Sequence, residues 1–105
     1  MQGRIEITNG VINAKIHVEI MKEGEKVIVY THTLDICGYG SNAEEAKKDF
    51  DTAVRIFFEE TSEHETLDKA LEELGWKKVV VPTGQYWEPQ TEVIGSAIVE
   101  NRIPA

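Results

Sequence analysis

The chain has 105 residues, 41% of them hydrophobic and 29% charged, which suits one domain that buries roughly two-thirds of its unfolded surface. Eleven Lys and Arg against nineteen Asp and Glu give a net charge of -8, and no window gathers basic residues into a stripe able to neutralise phosphates, so direct nucleic-acid binding by the monomer is not expected. The opening MQGRIEITNG has no apolar core of signal-peptide length, and no apolar run approaches the roughly 20 residues of a membrane span, so a soluble, cytoplasmic protein is expected.

In chain order, RIEIT and VINAKIHVEI flank Asn9-Gly10, the dipeptide suited to the positive φ angles of a two-residue hairpin turn. The register predicts Thr8 opposite Val11, Ile7 opposite Ile12 and Ile5 opposite Ala14. The same dry face continues through Ile16, Val18 and Ile20, and the other carries Glu6, Asn13, Lys15, His17 and Glu19. The loop KEGE at 22–25 then reverses the chain into KVIVYTHTL. Val27, Ile28, Val29 and Tyr30 are apolar on both faces, which predicts a central strand or one pressed against something on its second side. A helix pair of the length available covers one face only, so the chain is expected to pair with itself, as a dimer or tetramer. After Leu34-Asp35 the segment ICGYG pairs once more.

Residues 42–60, NAEEAKKDFDTAVRIFFEE, place Ala43, Ala46, Phe50, Ala53 and Phe57 at helical spacing, widened by Val54 and Phe58. Ser41 and Glu44 form a capping box, with Ser41 as N-cap. A shorter helix is predicted in ETLDKALEELG, with Thr66 as N-cap, Leu67, Ala70, Leu71 and Leu74 inward, Gly75 as its stop and Trp76 folding back on the core. The remainder holds VVV before Pro82, a turn-rich TGQYWEPQ and a last strand candidate, VIGSAIVENRI.

The turn Gly38-Tyr39-Gly40 between strand and helix raises the question of a phosphate cradle. Glu44 and Glu45 occupy the first helical turn, and neither a Walker lysine nor a third fingerprint glycine follows. The glycines are expected to let the chain turn sharply from sheet to helix. Glu6, Glu19 and Asp35 do not form the tight cluster on central strands that two-metal chemistry needs. His32, Asp35 and Cys37 alternate, as a nucleophile set would, but a turn at Leu34-Asp35 interrupts them, leaving a core thiol and an edge histidine. Cys37 is the single cysteine, so no disulfide framework is expected. His17 and His64 lack partners at ligand spacing. No catalytic, cofactor-binding or metal-binding residue is assigned.

The order hairpin, VIVYTHTLDI, small-residue turn CGYGSNAEEA, amphipathic helix ending FFEE, then TLDKALEELGW resembles the HicB-like antitoxin family. Leu34, Gly40, Glu44, Glu45 and Ala46 stand at the places of that family's turn and helix start, and the likeness spans residues 12–76. His32 stands where the family has a proline, and no helix-turn-helix or ribbon-helix-helix pattern follows. The resemblance implies an α+β domain over 1–105, with a core at about 4–76 and an extension at 77–105. The expected fold is a mainly antiparallel sheet of three to four strands with one long and one short helix, in the partial ribonuclease H-like order β-β-β-α-(α)-β. It also implies a non-catalytic protein that neutralises a small basic HicA-like ribonuclease toxin. The alternative is a stand-alone homo-oligomeric domain of the same fold, with a metal-dependent nuclease a distant third. Aromatic and polar side chains beside turns are the partner-binding candidates: Tyr30, His32, Asp35, Tyr39, Tyr86 and Trp87. For Tyr86 and Trp87 the other reading is that they cap the protein's own core.

Overall fold

A computed structural model describes residues 3–104. The fold is α+β, with all strand pairings antiparallel. The chain runs β1 (Gly3–Thr8), β2 (Val11–Ile16), β3 (Glu19–Glu23), β4 (Lys26–Thr31), β5 (Ile36–Gly40), α1 (Ala43–Glu63), α2 (Leu67–Glu73), β6 (Trp76–Val81) and β7 (Gly84–Pro89). These strands make two sheets: a four-stranded one in the order β2-β1-β7-β6 and a three-stranded one in the order β3-β4-β5.

The first hairpin has the expected register, Thr8 opposite Val11, Ile7 opposite Ile12 and Ile5 opposite Ala14. Asn9 and Gly10 supply the positive φ angles, 51° and 75°, that a two-residue turn with right-handed strand twist demands. The strand expected to run on to Ile20 instead stops at Ile16 and restarts at Glu19. Residues 17–18 carry the chain from one sheet to the other, so the period-2 pattern that looked continuous belongs to two strands with different partners. TGQYWEPQ, read as turn-rich, contains β7, an interior strand held between β1 and β6. Only Pro82-Thr83 turns, with Val81 opposite Gly84. The expected extension at 77–105 therefore divides: β6 and β7 belong to the four-stranded sheet, and residues 91–104 have no regular structure.

The core follows from these faces. Ile5, Leu34, Phe58, Leu67, Leu71, Trp76 and Trp87 form one cluster between the four-stranded sheet and the helices, and Val29, Ala46 and Phe50 a second under the three-stranded sheet. Ile16, Ile36 and Val54 touch both, so α1 joins the two sheets along a single apolar stripe. Trp76 is buried as expected and its indole N–H donates to the Thr33 carbonyl at 2.6 Å. This long-range bond pins the loop between β4 and β5.

At the start of α1 the N-cap is Asn42, not Ser41: Asn42 Oδ1 accepts from the Glu45 amide at 2.9 Å. The capping pair thus lies one residue later than the sequence pattern suggested. Ser41 Oγ and Asn42 Nδ2 both donate to Glu45 Oε2, so the carboxylate reaches back over the first turn. Thr66 precedes α2 without a side-chain cap bond, and Gly75 ends that helix at φ 92°, a conformation natural to glycine.

Candidate functional site

The three-stranded sheet has one covered and one uncovered face. Directly opposed residues in antiparallel strands point the same way, so the pairs Met21–Ile28, Ile28–Tyr39, Glu19–Tyr30 and Tyr30–Cys37 place Met21, Ile28, Tyr30, Cys37 and Tyr39 together. The opposite face carries Val27, Val29 and Thr31 with Gly40, Gly38 and Ile36 across from them, and it is the face on which α1 lies.

The two glycines answer the phosphate question. A Cβ at Gly38 would stand 2.3 Å from the Phe50 amide nitrogen and 2.5 Å from the Ala46 carbonyl, and one at Gly40 would stand 2.5 Å from the Ala46 amide nitrogen. They let the helix backbone rest directly on β5, whereas a sharp turn was the expected reason; neither glycine is among those with positive φ. The helix start is closed by Asn42 and Glu45, and Asp49 Oδ2 accepts the Tyr39 amide at 2.8 Å. An anion placed there would face carboxylates.

On the uncovered face Met21 and Tyr39 are 42% and 50% exposed, and Ile28, Tyr30 and Cys37 are half-buried. The Tyr30 hydroxyl donates to Asp35 Oδ1 at 3.0 Å. That bond is the main cause holding the Tyr30 phenol above its ordinary value of 10.0, with Asp35, Cys37 and Glu19 adding unfavourable charge for the phenolate. Tyr39 is also raised, chiefly by the neighbouring Cys37 side chain. The Lys26 ammonium sits 5.3 Å from the Tyr39 ring centroid. Beside it a shallow hollow of about 390 Å³ is lined by Glu25, Lys26, Tyr39, Gly40 and Ser41.

The candidates named from sequence thus divide. Tyr30, Asp35 and Tyr39 meet on or beside this face. Asp35, at φ 53°, sits in the turn that breaks the alternation of His32, Asp35 and Cys37. His32 is half-buried, with Nε2 enclosed and unbonded among the described residues. Tyr86 lies on the outer face of the other sheet, stacked under the Arg4 guanidinium at 4.0 Å, while Arg4 also reaches Glu6 and Glu88. Trp87 is wholly buried in the core; its ring is structural support, and its N–H has no partner among the described residues. Met21, Ile28 and Cys37 are the members that sequence reasoning left out. The pattern EIMKE was divided between the end of the preceding strand and the KEGE loop, which hid the alternation that brings Met21 to Ile28.

Among the described residues no group of three or more His, Cys, Asp or Glu converges as metal ligands, and no helix is long and apolar enough to cross a membrane. No protein-family model matches the chain, and no curated protein or solved structure matches it significantly.

Proposed function

We propose that the chain is a non-catalytic, cytoplasmic protein-binding domain of the HicB-like antitoxin type, which uses the uncovered face of the three-stranded sheet to hold a small basic ribonuclease. The observation that carries this reading is that face: an apolar and aromatic patch of Met21, Ile28, Tyr30 and Tyr39 on a chain of net charge -8. Aromatic side chains with a polar tip are strong anchors at interfaces, and an excess of acid speeds encounter with a basic partner. The three antiparallel strands followed by a helix packed on one of their faces support the partial ribonuclease H-like reading.

The test is a titration with the product of a neighbouring reading frame that encodes a small basic ribonuclease. The chain is expected to bind it and silence its RNA cleavage, with an association rate that falls as salt rises. Tyr39→Ala is expected to weaken binding at least tenfold while leaving the melting temperature unchanged. Undiminished binding by Tyr39→Ala overturns the assignment of the face. RNA cleavage by the purified chain with magnesium or manganese overturns the non-catalytic reading.

A further inference from the structure

Residues 93–103 read as a strand in sequence and have no strand partner among the described residues. Ile94, Ile98, Val99 and Ile103 are 95%, 93%, 80% and 82% exposed. Soluble proteins rarely leave an apolar run of this kind in water. On a strand its odd positions, Val93, Gly95, Ala97, Val99, Asn101 and Ile103, form one uncharged side, and its even positions carry Ile94, Ser96, Ile98, Glu100 and Arg102.

The four-stranded sheet has a matching vacancy. Among the described residues β2 pairs with β1 alone, so one edge of its backbone is unpaired there, a template for another strand. Ala14 faces the core side of the sheet, opposite the wholly buried Ile5, yet is itself exposed. Between β2 and α1 runs a groove of about 430 Å³, floored by Ile12, Ala14, Val54 and Phe58 and rimmed by Asp51, Arg55 and Glu59. A strand added along β2 would satisfy the free backbone groups and lay its uncharged side over this floor.

The arm leaves the body at Gln90, whose amide donates to the Gly75 carbonyl at 3.1 Å. From there the route to its own β2 reaches the Ile16 end, where residues 17–18 already carry the chain to β3. The arm instead extends outward. The radius of gyration is 16.5 Å and the longest extent 56 Å against 31 and 25 Å, whereas a compact chain of this length has a radius of about 13 Å.

We propose that residues 93–103 form an exchange arm that adds as a strand to the free edge of β2 in a second copy of this chain, the two copies trading arms about a twofold axis. The exchange is isologous and closes on itself, so it ends at a dimer. Each arm together with the groove it fills brings a protomer to about the 20 residues a side of a standard interface. This inference is independent of the antitoxin reading, since it uses neither the face that would hold a toxin nor a partner of another sequence.

Sedimentation of the 105-residue chain is expected to give twice 11.8 kDa, and Val99→Asp in the arm and Ala14→Arg in the groove are each expected to halve that mass. Both positions are exposed in the single chain, so the melting transition of the dissociated variants reports whether they still fold. Met21→Asp, on the uncovered face of the other sheet, is expected to leave the dimer intact. A monomeric parent chain overturns the proposal, and so does a dimer that survives both Val99→Asp and Ala14→Arg. A monomer whose arm amides are nonetheless protected from hydrogen exchange puts the arm on its own β2 and overturns the exchange. Loss of the dimer with Met21→Asp alone assigns the interface to the other sheet and overturns it as well.

Discussion

A single methyl group added at Gly38 would sit 2.3 Å from the Phe50 amide nitrogen and 2.6 Å from its Cα, closer than any real contact and against backbone that cannot rotate away. Gly38→Ala must therefore push α1 off β5. The expected cost is at the upper end of the 1–3 kcal/mol typical of overpacked cores, read as a fall in the denaturant midpoint. Trp87 gives the opposite kind of test. Wholly buried in the core, it should cost about 3–5 kcal/mol on replacement by alanine, and a thermal melt unchanged from the parent would contradict its placement. The two tyrosines of the uncovered face titrate above 10.0. A raised phenol keeps its proton more firmly in the folded state, so this stabilisation is fully present below the unfolded value of 10.0 and is lost as pH rises through the higher folded value. Asp35→Gly keeps the positive φ of that turn and removes the carboxylate. Phenolate absorbance should then show Tyr30 returning toward 10.0.

At the level of elements, the start of α1 separates two capping schemes by experiment. With Asn42 Oδ1 on the Glu45 amide, Asn42→Ala should cost about 1 kcal/mol. Ser41→Ala removes only a side-chain bond to Glu45 and should cost less, and the reverse order in urea denaturation would restore Ser41 as the cap. The sequence revealed the two helices, the first hairpin and the inward Leu67 and Leu71 because 3.6-residue periodicity and an Asn-Gly turn are local signals. β7 was hidden because its residues, GQYWEP, look like turn chemistry, and only burial of Trp87 between β1 and β6 makes a strand of them. The break at residues 17–18 was hidden for a related reason: two strands in sequence share one alternation, and nothing local says that they pair in different sheets. Two of the five members of the candidate face were legible, since Tyr30 and Tyr39 were named, but Met21 enters it only through the pairing of β3 with β4.

For the molecule as a whole, the order β2-β1-β7-β6 joins the first strand to the last, with Ile5 opposite Trp87. By contrast β3, β4, β5 and α1 follow one another in sequence and pack on their neighbours. Closing a loop of about 80 residues costs roughly 3 kcal/mol more in chain entropy than closing a hairpin of about four, so the two sheets should not form together. In refolding, amide protection is expected to appear first in β4, β5 and α1 and last in β1 and β7, as pulse-labelled exchange would record. The same order has a consequence during synthesis. The β1–β2 hairpin is made long before β7 and has no sheet to join until β7 has left the ribosome, so Ile5, Ile7 and Ile12 wait exposed while the residues between are synthesised. A nascent chain is expected to bind a hydrophobic-patch chaperone until Trp87 has appeared, which selective profiling of chaperone-bound ribosomes would record.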